Sequence, residues 1–175
     1  ADTHGGIKNI NVAKMEFETD LDTFKADAAT VIPAQKAGAI AMSAGVNKGD
    51  WCPIVPSSMQ SQADENIYVL GDASVAKSMP KSGFSANSQA KVAANHIRGA
   101  LTGSKVFPAR YSNTCWSMVA SDHGIKVGAS YKSGTEKIEK TSGFVSKKGE
   151  SSEIRKATFE ESLGWYSGIT SDMFS

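Results

Sequence analysis

One stretch, NIYVLGDASVAKSMPKSGFSANSQAKVAANHIRGALTG from Asn66 to Gly103, constrains the fold more than any other part of the chain. Ile67, Tyr68, Val69 and Leu70 form a short apolar run of strand-formers, which predicts a buried strand. Gly71 and Asp72 follow at the carboxyl end of that run, where open α/β sheets bind ligands. From Ser85 onward Ala86, Ala90, Ala93, Ala94, Ile97 and Leu101 recur near helical spacing. A helix faced with methyl groups lies close to whatever it covers. Its amino end then points at the mouth of the strand.

With 175 residues the chain buries one core, or a core and a small appendage. Nineteen basic against 18 acidic side chains leave a formal charge of +1 and give no electrostatic case for nucleic acid. The apolar runs are too short to span a bilayer. The opening ADTHGGIKNI has neither a basic start nor an apolar h-region, so no signal peptide is read there. It also lacks an initial methionine, which suits a processed product, a cloned piece or a fragment. Cys52 and Cys115 are too few for a disulfide framework, and His4, His96 and His123 show no zinc spacing. No Cys-x-x-Cys-His is present, so any haem c would belong to another chain.

Before the opening stretch, Ile10 and Val12, then Met15 and Phe17, alternate with polar residues as strands do. Ala28 to Ile32 reads as another buried strand, stopped by Pro33. AGAIAMSAG predicts a short helix closed by Gly45, and the segment to Ile67 reads as loop. After Gly103 the alternation of Trp116 and Met118, then Ile125 and Val127, then Tyr131, predicts an antiparallel meander. A terminal amphipathic helix follows, with Phe159, Leu163, Tyr166 and Ile169 on one face. The predicted fold class is α/β followed by α+β, with regions 1–103 and 104–175.

The Gly-Asp-loop-helix segment resembles the second FAD-contacting motif of flavoproteins with two dinucleotide-binding domains. Together with YSNTCWSMVA and LGWYSGITSDMF, the chain is similar to the flavoprotein subunit of flavocytochrome c sulfide dehydrogenase, and the resemblance runs along essentially its whole length. It implies FAD as cofactor, sulfide as substrate, a c-type cytochrome subunit as partner and a periplasmic location. It assigns Asp72, after Gly71, to a ribityl hydroxyl, with a turn or helix cap as the lesser alternative. Met79, Pro80, Lys81 and Ser82 would lie by the flavin pyrimidine edge, at a positive helix end. Read alone, Lys81 is a solvated lysine, and Asn87 and Gln89 are plain polar helix positions.

Cys115 is the residue the resemblance makes redox-active, paired with a second cysteine; read alone, it is a small packing residue. Cys52, between Trp51 and Pro53, reads as structural, with a Cys52–Cys115 disulfide as the lesser alternative. Trp165 would approach the flavin, or else anchor the terminal helix. The family's Gly-x-Gly-x-x-Gly pyrophosphate turn and the second redox cysteine are both missing from these residues, so the chain reads as the carboxy-terminal part of the enzyme, with half of an active site. Two other readings stay open: a sulfide:quinone-type or NAD(P)H-linked disulfide oxidoreductase, and a non-catalytic interaction module. A quinone enzyme wants a membrane-binding amphipathic end, which Glu160, Glu161 and Asp172 disfavour.

Overall fold

The computed structural model describes residues 5–174, so His4 lies outside the described residues. Two compact units divide after Gln35. In the first, β1 (Ile7–Asn11), β2 (Glu16–Thr19) and β3 (Thr23–Lys25) form an antiparallel meander in that order. Ile10 pairs with Phe17 and Phe17 with Phe24, which stacks the large apolar side chains across the strands. Val12 falls in the first turn, and Met15 adopts φ 55° there, so neither continues a strand. Ala28 to Ile32 forms no strand, contrary to the sequence reading, and Ile32 is exposed. An apolar run becomes a strand only where another edge supplies hydrogen bonds, and this one pairs with none of the three strands.

The second unit starts with the expected short helix, α1 (Ala39–Ser43), closed by Gly45 at φ 68°. Ala37, Ala41, Val46 and Cys52 pack there in a small core of their own. Next comes a loop region held by isolated bridges: Ile54 to Ser61, Gln60 to Tyr68, and a parallel one from Cys52 to Ser74. Ile67–Leu70 is therefore not a buried strand, and Gly71–Ala73 is a single 3-10 turn. A parallel strand needs neighbours delivered by crossover connections, and these residues meet only single bridges.

Helix α2 (Gly83–Thr102) is capped by Ser82 at its start and ended by Gly103 at φ 69°. Its buried line is Ser85, Gln89, Val92, Ala93 and Gly99, while Ala94 and Leu101 face outward. The predicted alanine face is thus rotated, because the closest approach is made at Gly99. A Cβ there would stand 2.2 Å from Val106 Cγ2, so the chain leaving the helix folds back against it.

The predicted meander is present as β4 (Arg110–Ala120), β5 (His123–Ser133) and β6 (Ile138–Val145). Tyr111, Ala129, Tyr131 and Ile138 join the main core with Met59, Val92 and Ala93. Met59 is fully buried; such a side chain contributes about 1.5–3 kcal/mol. Helix α3 (Ser152–Phe174) covers the sheet, mostly over β5. Gly124 lets it approach, since a Cβ would sit 2.8 Å from the Phe159 nitrogen. This sets which side of α3 is inward: Thr158, Phe159, Ser162, Trp165 and Ile169. Leu163 and Tyr166, expected on the inner face, are exposed. The described architecture is α+β, with two small antiparallel sheets and three α-helices, and no described helix is long and apolar enough to cross a membrane. Ser104 lies at the junction of α2 and the meander, inside the second unit.

Candidate functional site

Gly71 begins the 3-10 turn at φ +69°, a conformation glycine adopts without strain. Its N–H donates to Gln89 Oε1 at 2.7 Å, and Gln89 Nε2 donates to Met79 Sδ at 3.7 Å. Gln89 is therefore no plain polar helix residue: buried in α2, it fixes the Gly-Asp turn by its carboxamide. Its position on the inner line of α2, four residues after Ser85, is the sequence signal that marks it.

The Asp72 carboxylate is exposed and accepts no hydrogen bond among the described residues; it caps neither the turn nor α2. Its backbone carbonyl accepts from Lys81 Nζ, which also reaches Ser74 O at 3.3 Å and stands 3.6 Å from the Trp51 ring centroid. Burial lowers the Lys81 ammonium's pKa, against the opposing pull of Asp72 and Cys52. Lys81, although exposed, thus also tethers the turn. Gly71, Met79, Pro80 and Lys81 line one cleft of ≈ 200 Å³ with Trp51 and Gln89. Small-molecule sites commonly enclose about 300–1,000 Å³, so this cleft is smaller than a typical one. Met79 itself is buried in the main core.

Ser82 and the strand β4 meet at Asn113. Ser82 Oγ accepts from the Ser85 N–H at 3.1 Å and donates to Asn113 Oδ1 at 2.5 Å. Ser85 Oγ donates to the same oxygen at 3.2 Å. The carboxamide's other end, Nδ2, donates to Cys115 Sγ at 3.4 Å. Asn113 and Cys115 share a face of β4, being two residues apart. That spacing, within the motif that carries Cys115, is the signal for Asn113.

Cys115 is exposed and free, and Cys52 is buried and free. Burial raises the Cys52 thiol's pKa, with Lys81 pulling the other way. Cys52 holds Ala73 and Val75 by backbone hydrogen bonds of 2.9 and 2.8 Å, in keeping with a structural role. Cys115 lies in a hollow with Ser117, Ile125, Val127 and Val145, bordered by Lys126, Lys147, Lys148 and Arg155. Val127 and Val145 stay largely exposed, so this part of the sheet face is uncovered.

The opposite face of β4 carries Trp116, which meets Trp165 of α3 and Phe84 of α2. Phe84 stacks on Trp165 with centroids 5.6 Å apart and planes 14° apart. Trp116 lies 5.6 Å from Trp165 and 5.9 Å from Phe84. Each aromatic pair contributes about 0.5–1.5 kcal/mol beyond its burial. Trp116 Nε1 is buried without an acceptor among the described residues. Cleft, thiol and aromatic cluster are distinct places here, connected through the first turn of α2. Trp51, Phe84, Gln89, Asn113 and Trp116 extend the set of residues read from the sequence.

Residues 107–174 match the family model described as flavocytochrome c sulphide dehydrogenase, flavin-binding. The matched segment contains β4, β5, β6 and all of α3. Asn113, Cys115, Trp116 and Trp165 all lie within it, whereas the Gly71–Ser82 turn precedes it. The resemblance read from the sequence thus holds over this segment, and it supports a flavin-binding, oxidoreductase role.

Proposed function

We propose that the chain is part of a periplasmic flavoenzyme of two-dinucleotide-binding-domain type that oxidises sulfide at Cys115 and passes electrons to a c-type cytochrome subunit. The flavin-binding match carrying Cys115 on its uncovered sheet face supports this reading. The residues present fit FAD. Asp72 offers a carboxylate free to accept a ribityl hydroxyl, and the first turn of α2 offers N–H groups and a positive dipole end to the electron-rich ring. Trp165 lies across that turn on Phe84. No Gly-x-Gly-x-x-Gly turn occurs in these 175 residues, so the pyrophosphate cradle belongs to polypeptide outside them, and this chain alone binds FAD weakly and is inactive.

In this reading Cys115 is joined by a disulfide to a cysteine outside these residues. Hydrosulfide attacks one sulfur, a new S–S bond forms, and the other cysteine leaves as thiolate with the electron pair of the broken bond. A second hydrosulfide then takes the persulfide sulfur as HSS⁻, with loss of one proton, and leaves two thiolates. FAD supplies the two-electron acceptor that returns the thiol pair to the disulfide, before electrons reach the cytochrome. The lysines around Cys115 favour approach of the anion.

The test is Cys115→Ser in the complete flavoenzyme. The substitution changes little in volume, so FAD content persists. Flavin absorbance should then stay oxidised after sulfide is added. Bleaching at the unsubstituted rate would show that sulfide reaches the flavin without Cys115.

A further inference from the structure

We infer that Asn113 is a positioning residue that aims an N–H at Cys115 Sγ and connects the thiol to the amino end of α2. The inference rests on Cys115 being the reacting thiol, but not on sulfide or flavin. Asn113 is buried, and both ends of its carboxamide are in use. Two serine hydroxyls, Ser82 at 2.5 Å and Ser85 at 3.2 Å, donate to Oδ1. With Oδ1 accepting from both hydroxyls, Nδ2 is directed at Cys115 Sγ, at 3.4 Å.

The third contact runs to an exposed sulfur that water would otherwise solvate, and it directs a fixed donor at the atom that becomes negative. Ser82 is also the cap of α2, so the polarised N–H of Ser85, Ser82 Oγ and the carboxamide form one chain of dipoles ending at sulfur. A sulfur held this way has a set direction of attack. The charged and titratable groups around Cys115 do not duplicate this contact. Tyr131 on β5 faces it as a neutral phenol whose pKa burial raises. Lys126 is paired with Glu161 and Arg155 with Glu150, while Lys147 and Lys148 border the hollow.

The experiment uses this chain and iodoacetamide between pH 6 and 10, with Cys115 alkylation followed by peptide mass spectrometry. Asn113→Ala should slow alkylation roughly 5- to 10-fold near pH 7, because the attacking sulfur loses the donor that orients it. Asn113→Asp keeps the one oxygen that accepts from both serines but replaces the donor with an oxygen, and should slow the reaction further. A pH profile of Asn113→Ala that superimposes on the unsubstituted one overturns the inference. If circular dichroism shows that the alanine variant has lost its fold, the isosteric Asp variant decides, and an unchanged profile there overturns it equally.

Discussion

Ser82 Oγ and Asn113 Oδ1 are 2.5 Å apart, although 31 residues separate them in the chain. The bond joins the cap of a 20-residue helix to the strand that carries Cys115. One hydroxyl therefore serves two levels of structure. It accepts an otherwise orphaned helix N–H, and it sets the carboxamide whose far end reaches the thiol.

The two cysteines should differ sharply in reactivity. Cys115 is exposed with a donor beside its sulfur, whereas Cys52 is fully buried with its pKa raised by burial. Under non-reducing conditions near pH 8, Cys115 should be alkylated at least roughly ten times faster than Cys52. Peptide mass spectrometry of partly labelled protein reads the ratio. Faster labelling of Cys52, or a native Cys52–Cys115 crosslink, would contradict the assignment.

Asp72 gives a separate test of the cofactor site. Its carboxylate makes no hydrogen bond among the described residues, so Asp72→Ala should leave the chain's own thermal midpoint nearly unchanged. In the complete flavoenzyme the same change should weaken FAD by ~1.5–3 kcal/mol, or roughly 10- to 150-fold in Kd. Flavin fluorescence titration measures the difference. Unchanged affinity would show that Asp72 does not contact FAD, and a large fall in the midpoint would show that it supports the fold.

These residues also show which parts of the structure could be read from the sequence. The meander was legible because β4, β5 and β6 are consecutive and pair locally, so alternation in each strand suffices. Helix α2 was legible through the helical spacing from Ser85 onward, while its Ser82 cap, whose hydroxyl also bonds Asn113 of β4, was not read as one. Its inner face was not legible, because the rotation depends on Gly99 meeting Val106 and on Gln89 meeting Gly71, both tertiary events. Ile67–Leu70 and Ala28–Ile32 carry strand composition without strand partners, and composition cannot report a missing neighbour. The same holds for α3, where Gly124 on another element selects Trp165 over Tyr166 as the inward residue. Cys115 stood out by its motif, but its hydrogen-bonded partner required the serines of a distant helix.

The last prediction concerns Tyr111, which carries the core under β4 and gives the fold a pH signature. The phenol is buried and donates to Pro56 O at 2.6 Å, and burial pushes its pKa above the ordinary tyrosine value of about 10. Above that pH the unfolded chain releases a proton that the folded chain keeps, so stability falls as pH rises. At pH 11, one unit beyond the unfolded value, the loss from this group is about 1.4 kcal/mol. Cys52 and Tyr131 are shifted the same way, and Lys81 the opposite way, so a comparison of variants is needed to isolate Tyr111. Tyr111→Phe should cost about 1–3 kcal/mol at pH 8, because the Pro56 carbonyl loses its donor. The gap between the two proteins should then narrow toward pH 11, as only the unsubstituted chain is losing this contribution. Urea midpoints at the two pH values give both quantities. A gap that stays constant would mean that the Tyr111 hydroxyl ionises in the folded protein as readily as in the unfolded one, and that the Pro56 bond does not hold its proton.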